Sequence, residues 1–66
     1  MPIISVQLLQ GRAPELKRKL MQELADAAIR TLSVPEQSVR VILAEIAPEH
    51  WGIGTKTKAE IDSRDV

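Results

Sequence analysis

Four residues of this chain could carry chemistry: Pro2, Arg12, Arg40 and Trp51. Pro2 stands at the head of an apolar run, and removal of Met1 would leave it with a free secondary amine. Such an amine can accept a proton and return it when its pKa lies near the working pH. Two guanidinium groups suit a substrate with two carboxylates, since each can bind one carboxylate through paired hydrogen bonds.

Each of these residues also has a purely structural interpretation. Proline is tolerated at the first position of a strand, Arg12 could be a solvated charge in a turn, and Trp51 could cover a core. Arg40 is harder to explain, because it lies in the most apolar predicted strand, where a charge is costly unless it meets an anion or an open edge. An ion pair with a carboxylate of another subunit would satisfy it.

Two segments have the composition of β-strands. Residues 2–9 alternate, which predicts one apolar face formed by Ile4, Val6 and Leu8 and a mixed face on the other side. Residues 39–46 are apolar almost throughout, and this favours a strand buried on both faces, as in the centre of a parallel sheet.

A helical stripe connects the two predicted strands. It runs from Pro14, which suits a first helical turn, to about Leu32, and Pro35 forces the helix to end. Ala13 is a poor N-cap, so the start of this helix is weak. The apolar stripe repeats at i, i+4 spacing and contains Leu16, Leu20, Leu24, Ala27, Ala28 and Thr31, widened by Met21, Ala25, Ile29 and Leu32.

The remainder of the chain predicts less regular structure. The segment APEHWGIG, residues 47–54, favours a short hairpin or loop, and residues 55–66 form a polar tail that we expect to be frayed or to lie on a neighbour. The predicted fold class is therefore α/β (α+β): a single domain, residues 1–66, built as one βαβ unit with a right-handed crossover and a short C-terminal hairpin.

Composition limits the function classes. Nine basic and nine acidic residues balance, which argues against a nucleic-acid or anionic-membrane partner. No apolar run approaches the ~20 residues of a membrane span, and the first residues lack signal-peptide features, so we expect a cytoplasmic protein. There is no cysteine and only one histidine, His50, which predicts neither a disulfide nor a metal site.

The short length predicts self-association. One helix over two strands leaves both sheet edges and one sheet face bare, and a 66-residue chain buries too little surface to be comfortably stable alone. We therefore expect the sheets to be completed by oligomerisation.

Three segments, MPIISVQLLQGR, SVRVILAEI and EHWGIG, together resemble the 4-oxalocrotonate tautomerase family of the tautomerase superfamily. The resemblance extends from Pro2 to about Gly54. It implies a tautomerase-like fold and a homohexamer built as a trimer of dimers. It also implies ketonisation of a 2-hydroxy dienoate, such as 2-hydroxymuconate, to its 2-oxo isomer, without a metal or an organic cofactor.

The resemblance also implies a role for each site residue. Pro2, after removal of Met1, matches the general base and acid, and Arg12 matches the arginine that grips the distal carboxylate of the substrate. Arg40 matches an arginine, contributed by a neighbouring subunit, that binds the carboxylate and oxygen near the reacting carbon. The backbone of Leu9 would contact the substrate, and Trp51 stands where the most studied members carry phenylalanine.

The environment expected for Pro2 would tune its amine. An ordinary α-amino group has a pKa of about 8, and a secondary amine is intrinsically more basic. Burial against apolar walls and the charges of Arg12 and Arg40 would lower the pKa of the Pro2 amine, because both disfavour the ammonium form.

The same residues are also compatible with other functions. Ile53 stands where the related trans-3-chloroacrylic acid dehalogenases carry a water-activating glutamate, so isomerisation is favoured over hydrolytic dehalogenation. One alternative is a non-catalytic oligomeric module that holds an anionic ligand. Another is a promiscuous enol–keto tautomerase with a different physiological substrate.

Overall fold

The computed structural model describes residues 1–63 and contains the predicted βαβ unit followed by a hairpin and a second helix. Its elements in chain order are β1 (Ile3–Leu9), α1 (Pro14–Leu32), a 3-10 turn (Glu36–Ser38), β2 (Arg40–Ile46), a second 3-10 turn (Pro48–His50), β3 (Gly52–Ile53), β4 (Lys56–Thr57) and α2 (Lys58–Ser63).

The two long strands pair in parallel, as the helical crossover requires. Their register runs from Ile3 opposite Arg40 to Leu9 opposite Ile46. The pairing extends one residue beyond the strands, because the backbone N–H of Arg40 donates to the carbonyl of Pro2 at 3.0 Å. Parallel strands begin at the same end of a sheet, so Pro2 and the backbone of Arg40 lie side by side.

The predicted bounds of α1 are confirmed. The helix begins at Pro14 after an extended Ala13 that makes no side-chain cap, which is the weak start expected from the sequence. It ends at Leu32, where Ser33 adopts a left-handed conformation (φ 54°) and its N–H donates to the carbonyl of Ile29. No helix within residues 1–63 is both long and apolar enough to cross a bilayer.

The predicted apolar stripe of α1 is wider than the sheet that it covers. Its central residues are half-buried against β1 and β2, but Leu16 and Leu32 are 61% and 55% exposed. Ala27 and Thr31 are also exposed, so their assignment to a buried stripe is wrong for a single chain. Two strands are too narrow to cover every apolar position of the helix.

The βαβ unit has very little core of its own. Leu8 is the single buried residue within positions 1–63, at 9% exposure. The outer face of the sheet, away from α1, leaves Ile3 64% and Ile42 54% exposed. β2 is therefore not buried on both faces within one chain, contrary to the expectation for a central strand, and it begins at Arg40 rather than at position 39.

The C-terminal segment is ordered, so the expected fraying is wrong for residues 56–63. Thr57 and Glu60 form a reciprocal capping box: the Glu60 N–H donates to Thr57 Oγ1 at 3.1 Å, and the Thr57 N–H donates to Glu60 Oε1 at 3.0 Å. Lys58 also pairs with Asp62 at 2.7 Å. These local bonds cap the first turn of α2 and stabilise the helix. The rest of the predicted tail, residues 64–66, lies outside the described residues.

The capping box should measurably stabilise α2. We expect Thr57→Val to remove the side-chain acceptor and to weaken the first turn of α2 by about 1 kcal/mol. The amide of Glu60 would then exchange with deuterium about fivefold faster. Thr57→Ser keeps the hydroxyl and serves as the control; equal exchange in the two variants would contradict the role of the cap.

Residues 47–63, here named the C-terminal arm, extend away from the βαβ unit. The arm packs mainly on itself, with β4 and α2 against the turn at residues 48–50. The described chain measures 48 × 24 × 14 Å, with a radius of gyration of 15.6 Å. A compact domain of this length would have a radius of about 11 Å, so a single chain is far from globular.

Candidate active site

Pro2 lies at the exposed start of β1. Its carbonyl is held by the N–H of Arg40, and its ring is half-buried. Met1 is 80% exposed and therefore open to removal in the free chain. While Met1 is attached, the nitrogen of Pro2 is an amide without a basic lone pair, so proton transfer at this atom requires a processed chain.

The guanidinium of Arg40 is folded against the turn that precedes β2. Its Nη1 donates to the carbonyl of Gln37 and, at 3.5 Å, to that of Val39. No carboxylate within residues 1–63 forms a salt bridge with it. A guanidinium carries five N–H donors, so several remain available for an anionic ligand. The turn thus positions Arg40 without neutralising it.

Arg12 and Leu9 lie together at the opposite end of β1. Gly11, at φ 122°, adopts a conformation that a side chain would disfavour, and it turns the chain back toward α1. This turn lets Arg12 Nη1 donate to the Leu9 carbonyl at 3.2 Å. The structure therefore brings Arg12 and the Leu9 backbone together.

An ion pair that the sequence analysis missed lies near this loop. Lys17 Nζ and Glu45 Oε1 are 2.9 Å apart, and their side chains are 23% and 34% exposed. The pair ties the first turn of α1 to β2, and at this exposure it contributes about 0.5–1 kcal/mol. Glu45 shares a face of β2 with Val41 and Leu43, and this face is turned toward α1. A carboxylate on that face needs a cationic partner, and the spacing of these residues in the sequence was the available signal.

The site residues fall into two groups at opposite ends of the sheet. Leu9 lies seven residues beyond Pro2 along this strand, so at about 3.3 Å per residue the two are about 23 Å apart. A six-carbon dicarboxylate, with bonds of about 1.3–1.5 Å, is less than half that length. Pro2 and Arg40 of one chain therefore cannot share such a substrate with Arg12 and Leu9 of the same chain.

Trp51 belongs to neither group, because it lies in the C-terminal arm beyond the end of β2. The backbone N–H of Trp51 donates to the Pro48 carbonyl at 3.3 Å, and the backbone carbonyl of Trp51 accepts from the Lys58 N–H at 2.7 Å. The half-buried indole is thus carried by the backbone of the arm. Residues 1–63 contain no group of three His, Cys, Asp or Glu side chains that could hold a metal ion.

Known proteins match this chain over nearly its whole length. The family model described as "Tautomerase enzyme" matches residues 2–61. The 2-hydroxymuconate tautomerase of Pseudomonas putida is 41% identical over 61 residues, which cover 92% of this chain and 97% of that protein.

Two solved structures have the same fold. TomN, a 4-oxalocrotonate tautomerase homologue in the tomaymycin biosynthetic pathway, superposes with a TM-score of 0.91 at 40% identity and covers 98% of this chain and 100% of its own. A heterohexamer 4-oxalocrotonate tautomerase from Chloroflexus aurantiacus has a TM-score of 0.85 at 36% identity, with 92% and 98% covered. Both similarities span nearly the whole of each chain.

Proposed function

Since this chain belongs to the tautomerase family and is an isomerase, we propose that it ketonises 2-hydroxymuconate or a closely related 2-hydroxy dienoate. The observation that carries the proposal is the position of Pro2 at the head of β1, where its carbonyl is held by the N–H of Arg40 and removal of Met1 would leave its amine at the end of a fixed strand. The similarity to a 2-hydroxymuconate tautomerase over almost the full chain supports this choice of substrate.

The proposed reaction moves one proton and needs no cofactor. After removal of Met1, the nitrogen of Pro2 accepts the proton of the 2-hydroxyl group. The oxygen electrons form the 2-oxo group, and the double bonds shift along the diene toward its far carbon. Pro2 then returns the proton to that carbon, so the amine ends in its original state and atoms and charge balance.

The two arginines would divide the binding of the substrate. Arg40, contributed by a neighbouring subunit as the resemblance implies, would stabilise the oxygen on which negative charge develops as the dienol loses its proton. Arg12 would grip the distal carboxylate, with its guanidinium oriented by the Leu9 carbonyl. The indole of Trp51 would form an apolar wall and exclude water from the reacting carbons.

This division requires residues from more than one subunit. Both β1 and β2 have a free edge in the single chain. If two copies pair their β1 strands antiparallel about a twofold axis, Arg12 and Leu9 of the partner subunit come beside Pro2 of the first. Each twofold pair then forms two equivalent sites, and three such pairs would complete the homohexamer, a trimer of dimers.

The exposed apolar residues supply a physical reason for this assembly. Ile3 and Ile42 lie on the bare face of the sheet and are more than half exposed, and burial of one such side chain stabilises by about 1.5–3 kcal/mol. One similar protein is a heterohexamer, which agrees with self-association through this fold.

The two arginines should have separable kinetic effects. We expect Arg12→Ala to raise KM for the dicarboxylate 2-hydroxymuconate and to change little for a monocarboxylate such as the enol of phenylpyruvate. Arg40→Ala should instead lower kcat for both, by about 10²-fold or more, because it meets charge that grows in the transition state. Loss of the ultraviolet absorbance of the conjugated enol measures the turnover of each substrate.

Arg30→Ala is the matched control, because Arg30 lies exposed in the last turn of α1 and should leave both constants unchanged. Equal effects of Arg12→Ala on the two substrates would show that Arg12 does not bind the distal carboxylate. If the unmodified enzyme turns over the monocarboxylate faster than 2-hydroxymuconate, the proposed substrate is wrong and another enol takes its place.

A further inference from the structure

Arg12 lies in the loop between β1 and α1, residues 10–13, which is here named the Arg12 loop. The start of the loop is fixed, because the backbone N–H of Gln10 donates to the carbonyl of Ile46 at 3.0 Å. The Arg12 side chain is exposed, and its bond to the Leu9 carbonyl is the one side-chain hydrogen bond that it makes within residues 1–63. The direction of this guanidinium therefore depends on how the other end of the loop is held.

The end of the loop receives little support from α1 itself. Ala13 makes no side-chain cap, and an uncapped first turn is less stable than a capped one. Lys17 lies one turn into this helix, where the helix dipole disfavours a positive charge. The stability of α1 therefore does not explain a lysine at this position.

Glu45 of β2 supplies the partner that this lysine requires. Its Oε1 lies 2.9 Å from Lys17 Nζ, and its backbone lies opposite the buried Leu8 in the sheet. Glu45 directly precedes Ile46, so two consecutive residues of β2 fasten the chain on both sides of the Arg12 loop. The ion pair thus closes the loop onto the best-buried part of the sheet.

We propose that Lys17 and Glu45 are positioning residues, which hold the Arg12 loop and thereby set the affinity for a substrate with a distal carboxylate. The inference rests on the proposed function, in which Arg12 binds that carboxylate. A loop that is already held in its binding conformation loses less conformational entropy when the substrate binds. The pair therefore lowers KM for a dicarboxylate, and since it does not touch the reacting atoms, it leaves kcat unchanged.

Two neutral variants remove the pair while they change the net charge in opposite directions. We expect Lys17→Met and Glu45→Gln each to raise KM for 2-hydroxymuconate by about threefold to fivefold, with kcat unchanged. Neither should change KM for a monocarboxylate such as the enol of phenylpyruvate. If Lys17 instead attracted the substrate by its charge, Glu45→Gln would lower KM, because it removes a negative charge that repels a dicarboxylate.

A charge reversal restores the pair with its signs exchanged. The double variant, Lys17→Glu with Glu45→Lys, should return KM to within about twofold of the unmodified enzyme, whereas each single reversal should raise it. Lys17→Met should have no further effect on KM when Arg12→Ala is already present. Lys19→Met is the matched control and should leave KM unchanged, since Lys19 is exposed on the same helix and forms no salt bridge within residues 1–63.

Nuclear magnetic relaxation of the Arg12 Nε–H bond tests the positioning without any substrate. Lys17→Met and Glu45→Gln should each lower the order parameter of this bond by about 0.2, and the charge reversal should restore it. An unchanged order parameter in both variants, or KM values that move in opposite directions, would overturn the inference. A lowered order parameter together with an Arg12→Ala variant of unchanged KM would support the held loop and overturn the role of Arg12 in the proposed function.

Discussion

Retention of a residue before Pro2 should lower the turnover of 2-hydroxymuconate by about 10²–10⁴-fold, the usual contribution of a general acid–base group. The reason is chemical: an acylated proline nitrogen is an amide and cannot accept a proton. The chain can be prepared with a protease-cleavable extension in front of Pro2, and the same sample can be assayed before and after cleavage. Intact mass reports whether the amine is free.

Two controls separate the loss of the amine from the loss of the fold. Sedimentation of the extended protein should be unchanged apart from the added mass, since the preceding residue, Met1, is 80% exposed. Acetylation of the cleaved protein at the amino terminus should reproduce the loss. Full turnover by a sample whose mass proves complete retention of Met1 would exclude Pro2 as the proton carrier.

Two defective chains should restore activity when they are mixed and assayed at 2-hydroxymuconate concentrations well below KM. One chain keeps its blocked Pro2 and an intact Arg12, and the other has a free Pro2 and Arg12→Ala. If each site takes Pro2 from one copy and Arg12 from its twofold partner, random reassociation makes half of the pairs mixed, and each mixed pair has one intact site. About one quarter of the full activity should return.

The measurement requires dissociation by dilution or mild denaturant, followed by reassociation and assay. Each chain taken alone through the same procedure is the control: the chain with a blocked Pro2 should stay inactive, and the Arg12→Ala chain should keep only its lowered kcat/KM. Activity that fails to recover while sedimentation shows mixed oligomers would place Pro2 and Arg12 of one site on the same chain, against the separation of about 23 Å along β1. An active monomer at high dilution would contradict the shared site altogether.

The local sequence pattern was sufficient to predict the two strands and the helix of the βαβ unit. The bounds of α1 follow from Pro14 and Pro35, and the inner face of β1 follows from strict alternation, because both depend on residues adjacent in sequence. A short hairpin or loop was expected within residues 47–54; the hairpin in the structure runs from Gly52 to Thr57 and so takes its second strand from the predicted tail. α2 was missed, although Thr57 and Glu60 have the spacing of a capping box, because the surrounding residues are mostly polar.

Residue type and order drew attention to Pro2, Arg12 and Arg40, and the resemblance to the 4-oxalocrotonate tautomerase family assigned their roles, which stay predictions. The separation of Pro2 from Arg12 follows from the predicted strand that lies between them. The position of Arg40 depends on the parallel register, which sets Ile3 against Arg40 and so places Arg40 at the Pro2 end of the sheet.

What the tertiary structure decided is therefore which residues meet and which surfaces stay bare. The exposure of Leu16 and Leu32 depends on how wide the two-stranded sheet is relative to the helix. The Lys17–Glu45 pair depends on how α1 packs on β2, and the projection of the C-terminal arm on its packing against the turn at residues 48–50. Sequence periodicity reports which side of an element is apolar. Only the packed structure shows that one chain lacks the partners to cover those sides, because contact is a property of distance in space and not of spacing along the chain.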